Sequence, residues 1–220
     1  MSRVICVMGE SGAGKTTAAR TLPPGQTCYF DCDGKGLSWQ GWKKSFCKEK
    51  HNYFPTDDPQ KILDYMARIS EKSPQTKYIV VDTLNGIMIA DEMRRAKEKG
   101  YDKWMDLAQS IWDIVNLSHT FREDLNIIFL AHCQTERDES GYYFTKMKSN
   151  GKKIEKIQLE TKFTTVLLAK KVGCDTYVFD TRAENSTVKT PMGLYTAREI
   201  PNDLLAVISA LEQYESEEAS

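Results

Sequence analysis

Several things missing from this 220-residue chain narrow the question. No apolar run reaches the roughly 18 residues that a membrane-crossing helix needs. The first residues pass straight into a short apolar run without the pattern of a secretory signal, which predicts a cytoplasmic protein with no membrane partner. Neither charge is in excess: 30 basic residues stand against 31 acidic ones. That excludes a globally basic nucleic-acid binder and leaves only local basic patches to be sought. None of the six cysteines, Cys6, Cys28, Cys32, Cys47, Cys133 and Cys174, forms a C-x-x-C pair. Reduced core thiols are predicted in place of a zinc site. The length suits one α/β domain, residues 1–211, followed by an acidic tail, 212–220, predicted to be disordered.

What is present begins with Gly9-Glu10-Ser11-Gly12-Ala13-Gly14-Lys15-Thr16, directly after the apolar run Val4 to Met8. The spacing G-x-x-x-x-G-K-T between a strand and a helix is that of a phosphate-binding loop. Glycines let backbone N–H groups turn inward around a phosphate, and the following helix points its positive end at the same anion. Gly9 to Thr16 and the next residue, Thr17, are therefore the predicted nucleotide-binding residues. Lys15 is expected to reach the β- and γ-phosphates, and Thr16 to hold Mg²⁺ through its hydroxyl.

A helix from Lys15 to about Leu22 is stopped by Pro23-Pro24-Gly25. A second strand, Thr27 to Cys32, delivers Asp31 and Asp33 to the carboxyl edge, where open α/β sheets bind ligands. Two readings stay open there: Asp33 activates the water that attacks the γ-phosphate, or both carboxylates end the strand and cap the next helix. Trp39, Trp42 and Phe46 fall at helical spacing within 37–50, which predicts a packed helical face. Pro59 opens a helix whose buried stripe is Ile62, Met66 and Ile69. Tyr78-Ile79-Val80-Val81-Asp82-Thr83 has the pattern of a buried parallel strand carrying a carboxylate to Mg²⁺, and Asp82 is predicted for that role beside Thr16. Helices follow over 84–99 and 102–121. The strand Asn126 to Ala131 delivers His132 and Gln134. His132 is read either as a γ-phosphate sensor that passes its signal onward or as a structural histidine bonded to backbone.

Residues 136–160 have the most unusual composition. Lys146, Lys148, Lys152, Lys153 and Lys156 are interleaved with Tyr142, Tyr143 and Phe144 around the flexible pair Asn150-Gly151. Lysines that neutralise phosphates beside rings that stack on bases suit single-stranded nucleic acid. A solvated surface hairpin is the alternative. A further hairpin is predicted over 164–171 and 174–182. Lys189 or Arg182 is a candidate cationic finger toward a neighbouring subunit's γ-phosphate. A final helix carries the stripe Leu204, Val207, Ile208 and Leu211. The tail after it, or that helix, is a candidate contact for a single-strand DNA-binding protein.

In this order of parts the chain resembles the RecA-like ATPase core, most closely the short phage-encoded RecA/RadA-type proteins of single-strand annealing and recombination. The resemblance covers about residues 2–195 and rests on GESGAGKT, YIVVDT, FDCDGKGL and FLAHCQ. It implies a mostly parallel twisted sheet flanked by helices with an antiparallel C-terminal hairpin, ATP and Mg²⁺ as cofactors, and a homo-oligomer in the host cytoplasm. By position it puts Asp33 at the catalytic carboxylate and His132 at the γ-phosphate sensor. It makes the lysine-rich segment a mobile DNA-binding loop, and sets Lys189 where cations reach a neighbour's site. Two departures matter. Asp33 replaces a longer glutamate, which implies slow hydrolysis or a shifted water. The loop begins nine residues into the chain, which leaves rings, DNA-templated arrays and monomers open beside filaments. The sequence reading is thus a Mg²⁺-ATP-dependent, single-stranded-DNA-binding ATPase of annealing or recombination. A nucleotide-gated loader of another replication protein and a small-molecule or nucleotide kinase are the alternatives.

Overall fold

The structure is a computed structural model that describes all residues except 101, 138, 151, 219 and 220. The side chains of 152–154 and 217–218 also lie outside the description, so the sequence-predicted DNA contacts Lys152 and Lys153 are not placed. The fold is built on β1 (Arg3–Gly9), whose Val4 to Gly9 are buried on both faces, as a central parallel strand requires. Around it lie β2 (Thr27–Asp31), β3 (Tyr53–Pro55), β4 (Tyr78–Asp82), β5 (Asn126–Arg137), β6 (Tyr143–Met147), β7 (Thr165–Val172), β8 (Thr176–Asp180) and β9 (Glu199–Pro201). Among the described residues the order is β3-β2-β4-β5-β1-β7-β8-β9, with β6 paired to β5 beyond the main sheet. From β3 to β7 neighbours run parallel, while β7–β8 and β8–β9 are antiparallel. The mostly parallel sheet with an antiparallel C-terminal hairpin is therefore present.

Helices cover both faces. On one face α3 (Pro59–Lys72), α4 (Leu84–Arg94) and α5 (Asp102–Ser118) pack against Cys6, Phe30, Val81 and Phe129. Helix α3 begins where local chemistry demands: the Asp58 side chain accepts from Gln60 N and Lys61 N, Pro59 follows, and Ile62, Met66 and Ile69 face inward. On the other face α1 (Lys15–Ala18) and α7 (Leu204–Glu218) bury Ala18, Leu204, Val207, Ile208 and Leu211 against Ile5, Val7, Ile128 and Leu130. Short helices α2 (Trp42–Ser45) and α6 (Lys152–Ile157) lie in the connections. Among the described residues no helix is long and apolar enough to cross a membrane.

Local structure departs from the sequence expectations in three places. The helix after the phosphate loop is α-helical only to Ala18 and tightens to a 3₁₀ turn over Ala19–Thr21. Over 37–50 a single short turn, α2, replaces the expected amphipathic helix, because Gly36 and Gly41 take left-handed conformations. Phe46 still reaches the core, edge-on to Tyr29 and Trp39. The acidic end, expected to be disordered, continues as helix α7 through Glu218. Arg3 reaches across to Glu212 and Glu215 and offsets their charge; glutamate is also a good helix former.

Candidate functional site

The carboxyl ends of β1, β2, β4 and β5 converge on the phosphate loop. Strand β5 lies between β1 and β4, so Gly9 stands beside His132 and, two residues earlier, Leu130 beside Asp82. The glycines are required sterically: a Cβ on Gly9 would stand 2.9 Å from Ala169 O, and one on Gly14 would press on the Tyr177 ring at 2.6 Å. Gly12 and Gly14 also hold φ of 78° and 92°. Lys15 is buried, and its Nζ donates to Gly9 O and Glu10 O, both at 2.8 Å, which arches the ammonium over the loop. Burial lowers its pKa, and the Asp82 carboxylate partly opposes the shift. A cleft of about 600 Å³ opens alongside, between Glu10–Ala13 and Lys170–Lys171 of β7.

Thr16 Oγ1 donates to Asp82 Oδ2 at 2.6 Å, and the Tyr29 hydroxyl donates to the same oxygen at 2.6 Å. The Asp82 Oδ1 atom is buried and has no hydrogen-bond partner among the described residues. Burial raises the Asp82 pKa against the opposing bonds from Thr16 and Tyr29. A hydroxyl and an orphaned carboxylate oxygen, side by side at the loop, fit Mg²⁺, which binds through one or two carboxylates plus substrate phosphates. Tyr29 was not singled out from the sequence. Its phenol, with a pKa pushed well up by burial and by Asp82, stays protonated and orients that carboxylate.

The two carboxylates that end β2 part company. Asp31, in register with Asp82, is buried; its Oδ2 accepts from Gly36 N at 2.8 Å and from the Tyr53 hydroxyl at 2.6 Å. It therefore clamps the turn that follows the strand. Asp33 lies past the end of β2, where strand alternation no longer applies, and among the described residues it shares no hydrogen-bond partner with Asp31. Its Oδ1 accepts from Thr83 Oγ1 at 3.1 Å, and its Oδ2 from Lys35 Nζ at 2.6 Å. Thr83 also caps α4 by accepting from Gly86 N, so Asp33 is set over the first turn of that helix.

His132 is half-buried. Burial lowers its pKa, helped by the nearby charges of Lys15 and Lys35, so the imidazole is neutral at pH 7. Its backbone is held by a residue the sequence reading passed over. Buried Asn85 accepts from His132 N at 2.7 Å and donates through Nδ2 to Lys148 O at 2.7 Å, while Lys148 N donates to His132 O at 2.7 Å. One amide on α4, three residues past Asp82, thus ties the end of β5 to the start of the lysine-rich segment. Gln134 takes no part in this link and donates to Glu136.

In the segment itself Tyr142, Tyr143 and Phe144 are exposed, as are Lys148 and Lys156. Lys146 differs from the expectation of a free cation, because Glu136 at 2.8 Å and Glu155 at 2.9 Å both pair with it. Arg137, uncounted from the sequence, lies over the Tyr143 ring at 5.7 Å. Of the two finger candidates, Arg182 is engaged by carbonyls of its own chain, Tyr195 O and Thr196 O. The backbone of Lys189 pairs with Val166, and its side chain lines a cleft of about 800 Å³ with Phe144, Lys156 and Glu160. Burial pushes the thiols of Cys6, Cys28 and Cys32 up out of the reactive range.

A family model described as an AAA domain matches residues 1–187. No curated protein matches the chain.

Proposed function

The chain belongs to the AAA_24 family, an AAA domain of the P-loop NTPases, and we propose that it couples ATP hydrolysis at this loop to single-stranded DNA on residues 136–160. The observation that carries the coupling is the Asn85 bridge between His132 and Lys148. A group that feels the γ-phosphate and a segment of rings and lysines share one buried amide.

In this reading the loop amides and Lys15 bind the β- and γ-phosphates, and Thr16 and Asp82 hold Mg²⁺. The bound ion neutralises charge that builds on the phosphate oxygens. Asp33 orients a water and takes one of its protons as the water oxygen attacks the γ-phosphorus. The bond to the β–γ bridging oxygen breaks, giving ADP and inorganic phosphate. His132, being neutral, offers one N–H to the γ-phosphate, and its movement is transmitted through Asn85 to Lys148. Tyr143 and Phe144 stack on bases while Lys148 and Lys156 contact phosphates. DNA then tightens ATP binding by the factor by which ATP tightens DNA binding. Annealing or recombination of single strands is the process this serves, in the manner of the RecA/RadA-type proteins the sequence resembles. A homo-oligomer in which Lys189 faces a neighbour's nucleotide and a single-strand DNA-binding protein docked on the acidic end of α7 complete the proposal.

One observation favours a second reading, a nucleotide-gated adaptor with little turnover: Lys35 and Thr83 occupy the two carboxylate oxygens of Asp33, which leaves neither bare for a water. Hydrolysis with and without single-stranded DNA separates the two. In wild type DNA raises turnover, and the ratio falls to one in a Tyr143→Ala/Phe144→Ala/Lys148→Ala variant. Tight ATP binding with no DNA-dependent turnover selects the adaptor. DNA that neither binds nor alters turnover overturns the first reading, and protein that binds no ATP overturns both.

A further inference from the structure

The turn Gly34-Lys35-Gly36 carries a charge with no part in the scheme above. Gly34 and Gly36 hold φ of 65° and 78°, left-handed values that glycine takes without strain. The turn doubles back and sets Lys35 Nζ 2.6 Å from Asp33 Oδ2. With Thr83 on Oδ1, both oxygens of the carboxylate assigned to the water proton are engaged. The contact is a half-open one, the Lys35 side chain being 48% exposed and that of Asp33 20%. Ion pairs this exposed contribute little and break readily. Lys35 is also within electrostatic reach of the phosphate-binding apparatus: its charge opposes protonation of Lys15 and His132 and stabilises the Asp82 carboxylate. Burial works against the Lys35 charge, but the bond to Asp33 and the fields of Asp82 and Asp31 outweigh it and keep the group an ammonium.

We propose that Lys35 is a γ-phosphate ligand which leaves Asp33 when a nucleoside triphosphate binds, so that the arriving substrate frees its own general base. The inference rests on the ATPase reading of the loop. A γ-phosphate carries more negative charge than one carboxylate, and the flexible four-carbon stem of lysine allows the exchange without backbone movement. A diphosphate lacks the group that draws Lys35 off, so the Asp33 pair persists. Lys35 therefore discriminates ATP from ADP, whereas a lysine that merely neutralised Asp33 would treat the two alike.

The test is calorimetric binding of a non-hydrolysable ATP analogue and of ADP, each with Mg²⁺, to wild type, Lys35→Met and Lys35→Arg, with circular dichroism melts to verify folding. Loss of a charged hydrogen bond predicts that Lys35→Met weakens the triphosphate about ten-fold or more and leaves ADP unchanged. Lys35→Arg, which keeps the charge, restores most of the preference. If Lys35→Met is poorly folded, Lys35→Gln and Lys35→Arg supply the same comparison. An equal shift for both nucleotides, or none, overturns the proposal while the ATPase reading stands. Wild type that binds neither nucleotide overturns both.

Discussion

Replacing Gly86 by alanine sets a backbone preference against a collision. Gly86 lies in the first turn of α4 with a φ any residue can adopt, so helix propensity alone favours alanine by about 1 kcal/mol. The new Cβ, however, would collide with Asp33 Oδ1 and stand 2.8 Å from the Cys32 carbonyl oxygen and 2.9 Å from its carbon. Ordinary contact begins at 3.4 Å. The Asp33 side chain can turn aside, but the Cys32 carbonyl is backbone, and its residue is held by a bond from Cys32 N to Asp82 O at 2.6 Å. Overpacking of this kind costs about 1–3 kcal/mol, so against the propensity gain a net loss of up to about 2 kcal/mol is expected. The functional effect is larger. A catalytic group displaced by about 1 Å loses on the order of 100-fold in rate, whereas the phosphate loop is untouched. Urea unfolding would report the stability loss, and nucleotide titration with single-turnover hydrolysis would show ATP bound but cleaved slowly. Folded Gly86→Ala protein that hydrolyses ATP at the wild-type rate would refute the placement of Asp33 as the base.

Three other outcomes follow from the same geometry. Asn85→Ala removes the partner of the part-buried His132 N–H and Lys148 carbonyl; at about 0.5–1.5 kcal/mol for each lost hydrogen bond, urea melts should show a loss of about 1–3 kcal/mol, and DNA should no longer alter ATP affinity. Because burial raises the Asp82 pKa, protons compete with Mg²⁺ up to a higher pH than at an ordinary carboxylate. Mg²⁺-dependent ATP affinity, followed by titration at several pH values, should rise as pH climbs through that raised pKa, and Asp82→Asn should flatten the profile. The sign for stability is opposite: without Mg²⁺, the folded state binds the Asp82 proton more tightly than the unfolded chain, so this contribution is present at low pH and lost as pH rises through the raised value. Mass spectrometry after brief alkylation should find exposed Cys174 labelled first, with Cys6, Cys28 and Cys32 modified only on unfolding.

The parts of this molecule legible in the sequence are those written in local pattern. The strand–loop–helix order around Lys15 and the all-apolar runs of β4 and β5 announce a parallel sheet, and Asp58-Pro59 announces the start of α3. Residues whose roles depend on partners far along the chain left no such mark. Asn85 reads as one polar residue in a helix; its meaning comes from His132 and Lys148, 47 and 63 positions away. Tyr29 reads as strand filling until β4 brings Asp82 to its hydroxyl. Lys146 reads as one of a row of phosphate-neutralising lysines because the apolar pattern of β5 ends at Ala131. The strand runs on to Arg137, and β6 returns antiparallel beside it, which brings Glu136 to the same ammonium. The α7 extension was missed for a similar reason, since its stabilising cation, Arg3, sits at the other end of the chain. Lys35 had a local signal, a lysine between two glycines two residues after a carboxylate.

The most direct test of the central claim pairs ATP binding with ATP hydrolysis in wild type and Asp33→Asn. The account predicts Mg²⁺-dependent turnover in wild type, and a variant that binds ATP at least as tightly yet hydrolyses it about 100-fold or more slowly, the usual contribution of a positioned general base. Asp33→Asn protein that turns over ATP as fast as wild type would contradict it.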